Sequence, residues 1–175
     1  LVEIVLIIII IFYQNYENTV ELYKSTEYKE SLTEEIPDEI DIFLELDYKD
    51  KVFLTQYYEV AAYLPIYLFV VHNAHYGHPS SLNNERLYFL MELSECKSSK
   101  EFYNKIMNSK FGPIDYFILE PDDDNATKFV FDAGQMESFP YRSNVKIYFE
   151  EDLFESRAYF KKLKIKGEIV FKTVY

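Results

Sequence analysis

Thirteen residues with almost no polarity open the chain and limit what it can fold into. LVEIVLIIIIIFY carries one charge, Glu3, and then nine consecutive apolar residues from Ile4 to Phe12. The run has no period of two or 3.6 that would leave it a wet face, so it must be covered by protein or by lipid. A helix that crosses a bilayer needs about 20 apolar residues, and this run supplies part of that length. The chain also opens on Leu rather than Met. We therefore read residues 1–13 as the end of a transmembrane helix whose start lies upstream. A buried strand or helix of a soluble domain is the competing reading. A secretory signal fits poorly, because no basic stretch precedes the run and no small-residue cleavage site follows Phe12.

Beyond the run, charge is unevenly spread. Residues 14–50 hold twelve acids against three Lys, which is most of the net −12, and the rest of the chain is nearly balanced. An acidic block directly after an apolar run is the opposite of a polybasic cytoplasmic flank, and it points to an outward-facing domain. No basic stripe exists that could neutralise phosphates, so nucleic acid is excluded as a partner. The single cysteine, Cys96, rules out an internal disulfide and leaves the redox compartment open. With 17 Tyr, 15 Phe and 4 Gly, the chain must fill its core with large rings and has few flexible linkers.

The pattern divides the chain into the membrane segment 1–13, an acidic helical or arm segment 14–50, and an α/β domain 51–175. KVFLTQ (51–56) reads as a buried strand, YYEVAAYLP as a short helix stopped by Pro65, and IYLFVV (66–71) as a second strand covered on both faces. HNAHYGHPSSL is a loop punctuated by Gly77 and Pro79. Asn83 or Asn84 is expected to cap a helix, NERLYFLMELSEC, and Ser98-Ser99 to open another, SSKEFYNKIMNS. FGPIDYFILE leads into a third strand. PDDDNA turns into a fourth, TKFVFDA, and NVKIYFE is a fifth. A short DLFES helix and a terminal hairpin turning near Lys164, Lys166 and Gly167 complete the chain. Alternating strands and helices followed by a run of strands imply an α/β fold: a mixed sheet with parallel first strands and flanking helices.

In such sheets, sites lie beyond the carboxyl ends of the strands. Two loops qualify, the one after KVFLTQ (Gln56, Tyr57) and the one after IYLFVV. No glycine-rich phosphate loop follows the first strand, which weighs against nucleotide binding. The second loop holds all three histidines of the chain, His72, His75 and His78, together with Asn73 and Tyr76, and Arg86 lies early in the next helix. H-x-x-H-x-x-H in a loop can offer zinc three ligands, but spacing supplies no fourth. The preferred reading is a loop that hydrogen-bonds a polar ligand, with no metal. Structural satisfaction of the loop is its plain alternative. Gln56, Tyr57, Asn73, His75, Tyr76, His78 and Arg86 are thus the candidate substrate-binding residues.

No catalytic residue can be assigned. Asp122, Asp123 and Asp124 read as the solvated tip of a hairpin, since calcium needs alternating ligands and a closing Glu. Cys96 lies late in a helix and reads as structural. Asp115 is placed to support a loop, and Glu59 follows closely after the first strand. Tyr57, Tyr58 and Tyr76 stand in the two loops at the favoured sheet edge.

Three stretches carry a resemblance: HYGHPSSLNNERLYFLMEL, SKFGPIDYFILE and FPYRSNVKIYFEEDLFESRAYFKKLKIKGEIVFK. Over about residues 51–175, with an apolar segment in front, the chain resembles the extracytoplasmic C-terminal domain of the arabinofuranosyltransferase A family. These are membrane glycosyltransferases of the polyprenyl-phosphate-sugar class. The resemblance implies a cell-wall glycosyltransferase with residues 14–175 on the extracytoplasmic side of the membrane. It implies a glycan acceptor, and a lipid-linked sugar donor reached through membrane loops ahead of this segment. The catalytic carboxylates would lie in those loops, so whether this segment is itself an enzyme stays open, and no cofactor is expected. The domain's own role would be to position the acceptor. Two readings of other classes compete: a membrane-anchored carbohydrate-binding or interaction domain without catalysis, and a metal-dependent hydrolase built on the histidines.

Overall fold

A computed structural model describes residues 36–71, 82–138 and 141–175. The apolar run 1–13 and the acidic stretch up to residue 35 lie outside the described residues. Residues 37–175 form one compact unit. Its elements, in chain order, are α1 (Ile40–Leu44), β1 (Val52–Thr55), a 3-10 turn (Tyr58–Ala62), β2 (Tyr67–Leu68), α2 (Asn83–Ser94) and α3 (Ser99–Met107). They continue with β3 (Tyr116–Ile118), β4 (Glu120–Asp122), β5 (Asn125–Ser138), β6 (Tyr141–Glu150), a second 3-10 turn (Glu151–Phe154), β7 (Phe160–Ile165) and β8 (Glu168–Thr173). No described helix is long and apolar enough to cross a membrane.

The fold is α/β with a mixed five-stranded sheet in the order β2-β1-β3-β8-β7, and a second sheet β4-β5-β6. β1 pairs in parallel with both β2 and β3, and β8 joins β3 antiparallel. Alternation along the strands sends successive side chains to opposite faces. Leu54, Phe117, Phe160 and Phe171 enter the larger core with residues of α2, α3 and the second sheet. Phe53, Tyr116, Ile118, Ile165 and Val170 enter a smaller core, under Ile42 and Phe43 of α1 and Val60 of the 3-10 turn. Phe53 and Tyr116, paired across β1 and β3, stack with ring centroids 4.9 Å apart.

Local chemistry explains the ends of the elements. Ser98 caps α3, its hydroxyl accepting from the Glu101 N–H at 3.3 Å, while the Glu101 carboxylate reaches back to the Lys97 N–H at 3.0 Å. The first bond satisfies a donor that the helix itself leaves orphaned, and the second ties the residue before the cap to the first turn. Lys166 (φ 53°) and Gly167 (φ 99°) take the left-handed conformations that a tight hairpin between β7 and β8 needs.

Three expectations are corrected. Neither Asn83 nor Asn84 caps α2; the cap position is Leu82 (φ 54°), with no side-chain bond. Asn83 instead turns back to the sheet, where its Oδ1 accepts from the Val71 N–H at 3.1 Å and its Nδ2 donates to the Val71 carbonyl at 3.3 Å. The IYLFVV run is not a strand covered on both faces. Only Tyr67 and Leu68 pair, at the edge of the sheet, and Tyr67 is 59% exposed. Its apolarity serves Phe69 and Val70, which leave the strand and fill the larger core. The fourth and fifth strands extend well past TKFVFDA and NVKIYFE, because cross-strand pairing continues to Ser138↔Tyr141.

Candidate functional site

The carboxyl edge of the parallel strands is built by Gln56 and Tyr57 after β1, Phe69 to Val71 after β2, and Leu119 and Glu120 after β3. Antiparallel β8 brings its first residues to the same edge, since Ile118 pairs with Val170. Glu168 at the start of β8 and Glu120 after β3 thus lie at the edge that carries Tyr57.

Gln56 ties the two sheets together, its Oε1 accepting from the Asp132 N–H of β5 at 3.1 Å. Its Nε2 is buried and has no hydrogen-bond partner among the described residues. Tyr57 is partly buried, packed on the smaller core, with its N–H donating to Thr55 Oγ1 at 3.1 Å. Burial first, and then the carboxylates of Glu168, Glu120 and Glu39, push its phenol up to about 12. The sign follows directly. A folded value above the ordinary 10.0 means stability that is present below about pH 10 and lost as pH rises towards 12. Tyr57→Phe should remove that alkaline loss. In a spectrophotometric titration, the difference between wild type and variant should show one phenol ionising near pH 12; ionisation near 10 contradicts the described environment.

Arg86 stands in the first turns of α2. Its Nη1 donates to the Phe69 carbonyl at 3.3 Å, and its guanidinium lies 5.1 Å from the centroids of both the Phe69 and the Phe111 rings. Burial lowers its pKa from the usual value. With Asn83 on Val71, it fastens the start of α2 to the end of β2, so the two ends of the histidine loop are held at the sheet edge. Asn73, His75, Tyr76 and His78, with His72, lie outside the described residues. The structure thus places Gln56, Tyr57 and Arg86 at or beside one edge, each engaged with its own partners.

Among the described residues, no group of three or more His, Cys, Asp or Glu could hold a metal ion. Asp123 and Asp124 form the exposed turn between β4 and β5. Cys96 is buried, its thiol 3.8 Å from the Glu92 carbonyl and pushed up in pKa chiefly by burial. Glu59 is exposed on the 3-10 turn.

Sequence reasoning missed the acids around Tyr57, because Glu39, Glu120 and Glu168 meet only through the sheet. It placed Asp115 as a loop support without finding its partners. At the amino edge, Asp115 Oδ2 accepts from the Val52 N–H at 2.8 Å and Oδ1 from the Tyr175 hydroxyl at 2.9 Å, with Lys51 Nζ 3.3 Å away. That cluster is far in sequence but structural in kind, since each partner locks one strand end to another.

A family model described as "Arabinofuranosyltransferase A C terminal" matches residues 18–171. Among curated proteins, none matches the chain.

Proposed function

The chain belongs to the arabinofuranosyltransferase A C-terminal family, and from that premise we propose that it holds a glycan acceptor for a membrane-embedded glycosyltransferase, without supplying the catalytic groups itself. One observation carries the reading. At the carboxyl edge of the sheet, the partly buried phenol of Tyr57 feels the negative charge of Glu168, Glu120 and Glu39. Such an edge can accept hydrogen bonds from sugar hydroxyls and offers a ring to their C–H faces. It repels phosphate, so it suits the neutral acceptor better than the lipid-phosphate donor. Arg86 acts as a positioning residue that sets the loop ends. Asn73, His75, Tyr76 and His78 enter the proposal from sequence alone.

In this reading residues 1–13 continue a transmembrane helix, the acidic stretch ahead of the compact unit that begins at Pro37 leads out of the membrane, and the domain stands on the extracytoplasmic side. The donor sugar arrives on a polyprenyl phosphate through the membrane part. The test is a turnover assay of the 175-residue chain with a polyprenyl-phosphate arabinose and a neutral oligosaccharide acceptor. Folded chain should transfer no sugar, because in this reading the catalytic carboxylates lie in membrane loops ahead of it. Turnover would sink the division of labour proposed here.

A further inference from the structure

Between α2 and the end of α3 lies an open groove of about 710 Å³, within the roughly 300–1,000 Å³ of small-molecule sites. One wall is the face of α2 on which Glu85, Tyr88 and Glu92 recur at intervals of three and four residues. The other is the last turn of α3 and the bend after it, with Lys105, Asn108 and Lys110. Between the walls, the rings of Phe89 and Phe111 meet edge to face with centroids 5.8 Å apart.

The chemistry of this groove is selective. Leu87, Leu90 and Leu93 of α2 are buried, yet Tyr88 leaves 53% of its surface in water. Both cations are occupied, Lys110 by Glu85 at 2.8 Å and Lys105 by Glu101 at 3.5 Å. Among the described residues, neither the Tyr88 hydroxyl nor the Glu92 carboxylate has a hydrogen-bond partner. An anionic ligand would meet an uncompensated carboxylate. A purely apolar one would strip water from that carboxylate without replacing its hydrogen bonds. A ligand with apolar C–H faces and hydroxyl donors satisfies both groups: the face lies on the phenol ring, and a hydroxyl pair donates to Glu92. The Phe111 ring that lines the groove is also the ring over which Arg86 sits at 5.1 Å. The groove therefore adjoins the start of α2.

We propose that the α2–α3 groove is a glycan subsite that takes a neutral oligosaccharide, with Tyr88 as its platform and Glu92 as its hydroxyl acceptor. It extends the acceptor path away from the sheet edge, and so rests on the acceptor reading above. Saturation-transfer NMR on the 175-residue chain tests it, with arabinotetraose and galactotetraose as neutral probes and a tetragalacturonate as the charged one. At least one neutral probe should bind, at least fivefold tighter than the tetragalacturonate. Tyr88→Ala and Glu92→Gln should each weaken that binding at least fivefold. Melting temperatures should stay unchanged, because both side chains face solvent. If both variants bind as wild type while Tyr57→Ala loses binding, the groove is not the subsite and the acceptor reading stands. If tetragalacturonate binds as tightly as the neutral probes, the ligand class is wrong. If wild type binds neither neutral probe, the subsite and the acceptor reading fall together.

Discussion

Truncating Phe154 to alanine is expected to destabilise the domain by about 4 kcal/mol, the middle of the range for a buried aromatic ring. The ring sits on the short 3-10 turn after β6 and is almost fully buried. It stacks on Phe171 of β8 with centroids 4.1 Å apart and an interplanar angle of 14°. It meets Phe102 of α3 at 5.2 Å, Phe117 of β3 at 5.3 Å and Phe160 of β7 at 5.4 Å. Phe129 of β5 and Phe149 of β6 complete its surroundings at 6.4 Å each. One residue thus joins both sheets and a helix, and no neighbour can close the gap without moving an element. A domain of this size has roughly 5–15 kcal/mol in total, so the variant should be marginal. Urea unfolding checks it: the midpoint should fall sharply with little change in slope. A loss under about 1 kcal/mol would mean that the rings repack freely.

The second large effect is expected at Asp115. Its side chain is the acceptor for two groups that have no better partner nearby, the Val52 N–H and the Tyr175 hydroxyl. Asp115→Ala should cost about 3 kcal/mol, because it removes bonds to a charged acceptor and strands a backbone donor at the edge of the core. Lys51 contributes much less. Its side chain is 31% exposed, so the ion pair at 3.3 Å is screened, and Lys51→Ala should cost under about 1 kcal/mol. Asp115→Asn should fall between. Burial and the bond to Asp115 raise the Tyr175 phenol well above its ordinary range. The stability it contributes is accordingly present below about pH 10 and lost as pH rises further. Equal losses from the Lys51 and Asp115 variants would show that the ion pair, not the hydrogen bonds, holds this edge.

These two sites also show how far the sequence could be read. α2, α3, β1, β3 and the β7–β8 hairpin follow from local signals: an apolar run of strand length, the Ser98 cap, and Lys166-Gly167 at the turn. Long-range pairing supplied what local signals could not. The stretch from Ala133 to Asn144 is polar and carries Gly134 and Pro140, so nothing in it announces a strand, yet β5 and β6 pair through most of it. IYLFVV misled because apolarity records burial and not strand length; Phe69 makes a last bond to β1, its N–H donating to the Phe53 carbonyl at 2.8 Å, and Phe69 and Val70 are buried beyond the end of β2. The candidate site was legible in part. Gln56, Tyr57 and Arg86 follow from their place after a strand or at a helix start. The acids around Tyr57 come from three separate elements, and the Gln56–Asp132 bond joins residues 76 apart. No spacing rule reaches that far.

The proposed acceptor role is tested most directly by steady-state kinetics of the full-length transferase in which we place this domain, comparing wild type with Tyr57→Ala and Arg86→Ala. If the sheet edge holds the acceptor, both variants should raise the acceptor KM at least tenfold, equivalent to about 1.4 kcal/mol of lost binding. The donor KM should stay as in wild type, and kcat at saturating acceptor should fall little. A wild-type acceptor KM in both variants, or a fall in kcat with both KM values unchanged, contradicts the account.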